Sequence, residues 1–321
     1  MSKEGYLACA ETFIAHRINY YGDTSIVDPQ SHPDFETLKN CFVGNKPDIV
    51  ITTATHNRKV NLETIHKNLT DQKGRLNWSW LVIDNLSTDG TVGYLESLKD
   101  DRLFVINSPS PIKCAYPVRN MGLDFLSYAY KTGATKFPWI SVVDSDDYLH
   151  NEYSLHEMLK IRNSASGKRR GLFLVHGYSD TIIKYSDKTM EHVANPRDTS
   201  SSFPIVENLR ETFYKGLNIL AGAFPIELLS WLRYPEERSF EDGGFNEKLM
   251  LQAQKQKGCW YGEQYPVTVK VFHRESMSGI NNQMGDTAKQ DRVGPYEVTG
   301  IRADIVSYYR KLMDWFTREQ L

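Results

Sequence analysis

The chain has 321 residues, of which 40% are apolar and 24% charged, with a formal net charge of −2 and a pI near 6.5. A chain of this size buries a large core, and its near-neutral balance excludes any general attraction to nucleic acid or anionic lipid. Cys9, Cys41, Cys114 and Cys259 stand far apart with no CxxC spacing, so neither a disulfide framework nor a thiolate zinc site is expected. No window reads as a signal peptide or a membrane span, and a cytoplasmic setting is the expectation.

Residues 1–47 read as an N-terminal extension packed on the main domain, with "YLACAETFIA" as a helix before the loop "VGNKP". The main domain is expected over 48–280, divided into a regular half, 48–150, and a looser half, 151–280. From Asp48 a regular alternation begins. "DIVITTAT" is a β-branched run of strand length, and "NLETIHKNLTDQ" places Leu62, Ile65 and Leu69 at helical spacing. "WSWLVIDN" is a second strand closed by the turn chemistry of "LSTDG"; the helix "TVGYLESLK" and the short strand "RLFVINS" follow. "PVRNMGLDFLSYAYKTG" predicts a helix ending at Gly133, and "PWISVVD" a strand buried on both faces. Alternating strands and helices predict an α/β fold with a mostly parallel central sheet, whose ligands sit at the carboxyl ends of the strands. Three of those ends are polar: "TATHNR", "DNLSTDG" and "DSDD".

The second half is less regular. "GLFLVHGYSDTIIKYSD" reads as two strands of a hairpin, "LRETFYKGLNILAGAFPIELLSWL" as a turn and a helix, and "YPVTVKVFHRES" as a strand leading into a polar loop. Residues 281–321 are a loop and an amphipathic helix, "GIRADIVSYYRKLMDWFTREQL", suited to packing on the domain, on a second subunit as a homodimer, or peripherally on a membrane.

Asp144, Asp146 and Asp147 end the fourth strand so close together that they repel unless a cation or a hydrogen-bond network compensates. The plain alternative is an exposed turn capping the helix expected near Asn151. Six ordered stretches decide between them: "VITTATHNR", "VIDNLSTDGT", "VRNMGL", "VVDSDDYL", "FEDGGF" and "FHRESMS". Together they resemble the "PTYNR", "VVDDGSTDGT", "ARNxGL", "FLDSDDxL", "xEDxxF" and "RxHxxSxS" elements of the inverting family 2 glycosyltransferases with the GT-A fold. Any one match is weak; six in order are specific.

The resemblance implies sugar transfer from a nucleotide-diphosphate sugar, with a UDP-sugar expected, to a hydroxyl acceptor in glycan or polysaccharide synthesis. Asp146 and Asp147 would hold Mn²⁺ or Mg²⁺, hard cations that prefer oxygen ligands, and Asp144 would contact the ribose or complete the shell. Asp84 and Asn85 would read the base edge, Thr55, His56 and Arg58 would line the nucleotide pocket, and Arg119 at its helix start would face phosphate oxygens. His56 reads equally as a solvated loop histidine, "NLSTDG" as a plain turn, and Arg119 as a surface residue paired with Asp124 or nearby acids. Asp242 would be the general base, its pKa raised by neighbouring Glu241, which orients it or binds the acceptor. His273 would join the metal shell or the diphosphate, or be structural. Other readings were a sugar nucleotidyltransferase, for which "TATHNRK" lacks a glycine-rich loop, an inactive glycan-binding scaffold, a dehydrogenase, for which no GxGxxG follows the first strand, and a DNA glucosyltransferase, disfavoured by the charge.

Overall fold

This computed structural model describes residues 39–40, 42, 44–108, 111–112, 115–131, 138–160, 172–184, 190–193, 222–230, 232–234, 245 and 259–272. The expected alternation is present: β1 (Ile49–Thr55), α1 (Lys59–Thr70), β2 (Trp78–Asp84), α2 (Thr91–Ser97), β3 (Leu103–Asn107), α3 (Ala115–Lys131) and β4 (Trp139–Val142). Then come β5 (Tyr148–Leu149), α4 (Ser154–Lys160), β6 (Leu172–Lys184), β7 (Met190–Val193), β8 (Gly222–Pro225), a 3₁₀ turn (Ile226–Ser230) and β9 (Cys259–Phe272).

The strands form one mixed sheet in the order β3-β2-β1-β4-β8-β6-β9-β5, with β7 added to β6. β3, β2, β1 and β4 run parallel, which requires the helical crossovers seen in the sequence. Alternate residues feed two cores. Val50, Leu81, Ile83, Ile140 and Val142 face the α3 side, whereas Ile49, Ile51, Trp80, Val82 and Trp139 face the α1 side. Leu62, Ile65 and Leu69, the expected stripe of α1, are all buried there. Phe42 is buried edge-on to Phe104 and Phe125, so the chain just before β1 already packs on the α3 core.

Three readings of the second half need correction. The run taken as a complete hairpin is one long strand, β6, whose antiparallel partner β7 comes later. Within "AGAFPIELLSWL" there is a short strand, β8, antiparallel to both β4 and β6, and only a 3₁₀ turn where a helix was expected. Short apolar runs fit either state, and pairing to a sheet formed elsewhere in the sequence decided for strand. β5 was not foreseen: its two residues pair antiparallel with Val269 and Thr268 of β9, tying the acidic turn to the far side of the sheet.

β1 lies between β2 and β4, so the chain leaves β1 in one direction along the sheet and returns on the other side. The carboxyl ends of β1 and β4 therefore flank the crevice where such sheets bind ligands.

Candidate active site at the carboxyl ends of the strands

The ends of β1 and β2 meet in register, with Thr55 opposite Asp84, and the Asn85 N–H donates to the Thr55 carbonyl at 2.9 Å. Asp84 is fully buried. Its carboxylate accepts from the Ser87 N–H at 2.8 Å and the Ser87 hydroxyl at 2.5 Å, which shapes the turn. The Asn85 amide is engaged twice by one residue: it donates to the Ile112 carbonyl at 2.7 Å and accepts from the Ile112 N–H at 2.9 Å. Both residues expected to read a base thus hold the protein's own backbone here. His56 Nδ1 lies 2.7 Å from the Asn85 carbonyl; a carbonyl only accepts, so Nδ1 carries the hydrogen, and His56 is a loop organiser as well as a pocket candidate. The Arg58 N–H donates to the Thr91 hydroxyl at 3.2 Å. Thr55 Oγ1 is buried with no hydrogen-bond partner among the described residues, a polar atom left over at the crevice.

The turns after β1 and β2 each hold a non-glycine residue in the left-handed region, Asn57 at φ 52° and Leu86 at φ 55°. Asn tolerates this conformation; Leu does not do so readily. The resembled motif has Gly where this chain has Leu86, and the backbone explains why glycine suits that position. Leu86 is held by its neighbours: Asn57 donates its N–H to Ser87 Oγ at 2.8 Å and accepts from the Thr88 N–H at 2.7 Å.

Beyond β4 the Val143 N–H still donates to Thr52, and the Asp147 N–H donates to the Asp144 carbonyl at 3.0 Å, folding the chain into a tight turn. One ligand oxygen from each of Asp144, Asp146 and Asp147 lies within 4.8 Å of the others, the only such cluster among the described residues. An all-carboxylate oxygen set suits a hard divalent cation. The turn into α4 is made by Asn151, whose Oδ1 accepts from the Tyr153 N–H at 2.8 Å, and the acids lie upstream of it. Asp147 is largely buried and accepts from the Val271 N–H of β9 at 2.8 Å. Burial, and then the Asp147 charge, pushes the neighbouring Tyr148 hydroxyl above its ordinary pKa.

Arg119, near the start of α3, donates to Asp144 at 2.6 Å with both side chains mostly out of solvent. Its partner is therefore an acid of the turn. Asp124 is paired instead with Arg233, at 2.7 Å in the core. Sequence reasoning missed Arg233, and with it Asn120, Ile112 and Tyr234. Asn120 is fully buried, donating to the Tyr234 carbonyl at 3.0 Å and accepting from the Tyr234 N–H at 2.9 Å. An asparagine inside a helix is a poor helix former, and that was the available signal. Glu241, Asp242 and His273 lie outside the described residues.

At the topological switch of the sheet the fold thus gathers a carboxylate trio, an arginine and an unpartnered hydroxyl, in the place where open α/β sheets bind their ligands. Residues 50–163 match the family model described as Glycosyl transferase family 2. That match runs from within β1 through α4 and takes in the acidic turn, and the α/β architecture is that of the GT-A fold. Solved structures agree on the fold. TarS 1-349 of S. aureus in complex with UDP-GlcNAc is similar at a TM-score of 0.51 and 16% identity, over 71% of this chain and 60% of that one, so the chain spans less than two thirds of that polypeptide. The same TarS fragment with UDP aligns at 0.52 and 14% identity over 85% of this chain and 80% of that one. A mannosyltransferase of Pyrobaculum calidifontis in complex with GDP-Man and Mn²⁺ overlaps more loosely, at 0.48 and 14% identity over 98% of this chain and 84% of that one. No curated protein matches in sequence. No helix among the described residues is long and apolar enough to cross a membrane.

Proposed function

We propose that the protein is an inverting, metal-dependent glycosyltransferase that moves a sugar from a nucleotide-diphosphate sugar, in the first instance a UDP-sugar, to a hydroxyl acceptor on a glycan. The observation that carries this reading is the gathering of Asp144, Asp146 and Asp147 at the carboxyl end of β4, beside Arg119. Three carboxylates so close repel one another, and one guanidinium offsets only part of that charge. Mn²⁺ or Mg²⁺ held by Asp146 and Asp147, with Asp144 on the ribose or in the shell, would act as a Lewis acid for the departing diphosphate. Thr55, His56, Arg58, Asp84 and Asn85 are assigned to the base and ribose. The Asn85 amide presents one donor and one acceptor, which suits the uracil O4 and N3–H once Ile112 is exchanged for the base.

Two covalent arguments support the assignments outside the described residues. His273 follows Val271 by two residues, a reach of about 7 Å at most, and the Val271 N–H is bonded to Asp147. Phe245 stacks on Tyr234 at 4.4 Å, and Asp242 is three residues before it, a reach of about 11 Å at most. Asp242 is assigned to accept the acceptor proton opposite the leaving group, with Glu241 orienting it.

A thermal-shift series with UDP-, GDP- and dTDP-sugars, with and without Mn²⁺, tests this. One nucleotide class should stabilise the protein in a metal-dependent way, and Asp146→Asn should remove the shift. Metal-independent stabilisation that survives Asp146→Asn would end the metal assignment.

A further inference from the structure

Helix α3 carries two latches that a helix needing only to pack on a sheet does not require. Asn120 uses both ends of its amide on the backbone of Tyr234. Asp124, one turn later on the same face, pairs with Arg233, which also donates to the carbonyls of Leu229 at 2.6 Å and Leu232 at 2.6 Å. Together they pin consecutive residues, Arg233 by its side chain and Tyr234 by its backbone. The pinned ring is fully buried and stacked on Phe245, itself packed 5.7 Å from Phe224. Beside that ring lies Arg119: its guanidinium carbon is 5.2 Å from the Tyr234 centroid, and it donates to Asp144 at 2.6 Å. A guanidinium so far removed from water is attracted to a ring face more strongly than an exposed one.

We propose that Tyr234 is a positioning residue of the donor site: its ring holds the Arg119 guanidinium beside Asp144, and its backbone, clamped by Asn120, fastens the acceptor-side segment to the same helix. This rests on the donor-site reading above. Arg119 has four side-chain torsions, and a hydrogen bond at its tip leaves the plane of the guanidinium loosely set. A ring face restrains that plane, so the cation stands in place before a diphosphate arrives.

The test replaces Tyr234 by phenylalanine and then by mono-, di- and trifluorinated phenylalanines, which keep the ring's shape while draining the charge from its face. Two quantities are read in the full-length chain: the rotation rate of the Arg119 guanidinium by nitrogen NMR, and the affinity for UDP, GDP and dTDP, each with Mn²⁺, by calorimetry. We expect guanidinium rotation to quicken stepwise and affinity for the preferred nucleotide to fall about three- to thirtyfold along the series, at an unchanged Tm. Tyr234→Phe should match wild type, because the hydroxyl has no part in the argument. A purely space-filling Tyr234 would leave both quantities flat, and that result overturns the proposal. So does quicker rotation with unchanged affinity, when Asp146→Asn abolishes binding in the same assay. If wild type binds none of the three nucleotides with Mn²⁺, the donor-site reading fails and the positioning role with it, while the NMR arm still reports whether the ring holds the arginine.

Discussion

Leu86 shows how a single backbone angle reveals what a site requires. At φ 55° a leucine is strained by about 1–2 kcal/mol, yet it persists because Asp84, Ser87 and Asn57 fix the turn around it. Leu86→Gly should therefore leave stability unchanged or raise it by up to about 1 kcal/mol, despite the loss of a half-exposed apolar side chain; a denaturant titration reads this directly. Asp100 gives a second prediction. Hydrogen bonds from the Arg102 guanidinium hold its carboxyl down at about 2, against an ordinary 3.8, with burial opposing and the Arg102 backbone N–H and His66 assisting. A depressed folded pKa contributes stability above the unfolded value that is lost as pH falls through the folded one, here from about 4 to about 2. Asp100→Asn should flatten the acid limb of the stability profile over that window. The effect is small because the pair is partly exposed.

At the scale of elements, α3 joins the sheet to the site. Gly122 lies where a Cβ would press on the Ile83 side chain and stand 3.1 Å from Thr52 Oγ1, so the glycine lets the helix approach β1 and β2. Gly122→Ala should cost about 1–3 kcal/mol despite the better helix propensity of alanine, a sign opposite to that expected at an exposed helical glycine. The Asp124–Arg233 pair is buried on both sides; Asp124→Ala leaves a guanidinium without its counter-charge in the core and should cost about 3–5 kcal/mol in thermal or chemical unfolding. That loss should exceed the loss for Asp124→Ala combined with Arg233→Met, which removes both charges.

For the molecule as a whole, the sheet joins two halves of different character. β3, β2, β1 and β4 run parallel on one side; on the other, β8 turns antiparallel between β4 and β6, and β9 runs parallel to β6. The Asp147 bond to β9 and the β5 pairing couple them, so donor and acceptor chemistry should separate only at the residues doing each task. Asp242→Asn should keep metal-dependent donor binding and lose transfer by at least about a hundredfold, measured as product formed per enzyme. Hydrolysis of the donor without acceptor, abolished by EDTA, would distinguish an enzyme from a binding scaffold.

The parallel half was legible in the sequence because its information is local. Strand runs, the 62/65/69 stripe of α1 and the polar strand ends each declare themselves within a short window, and the DSDD turn is gathered where the spacing placed it. β8 and β5 were not, since they are too short to specify a state alone and exist through partners distant in the chain. What the site residues hold was decided by the same long-range contacts. Asn85 faces the backbone of Ile112, Arg119 faces Asp144, and Arg233 takes Asp124, one of the acids open to Arg119 in the sequence. The sequence determined which charges are present and at which strand ends they stand; only the tertiary fold decided which of them meet, because a buried charge takes whichever counter-charge the packing brings within about 3 Å.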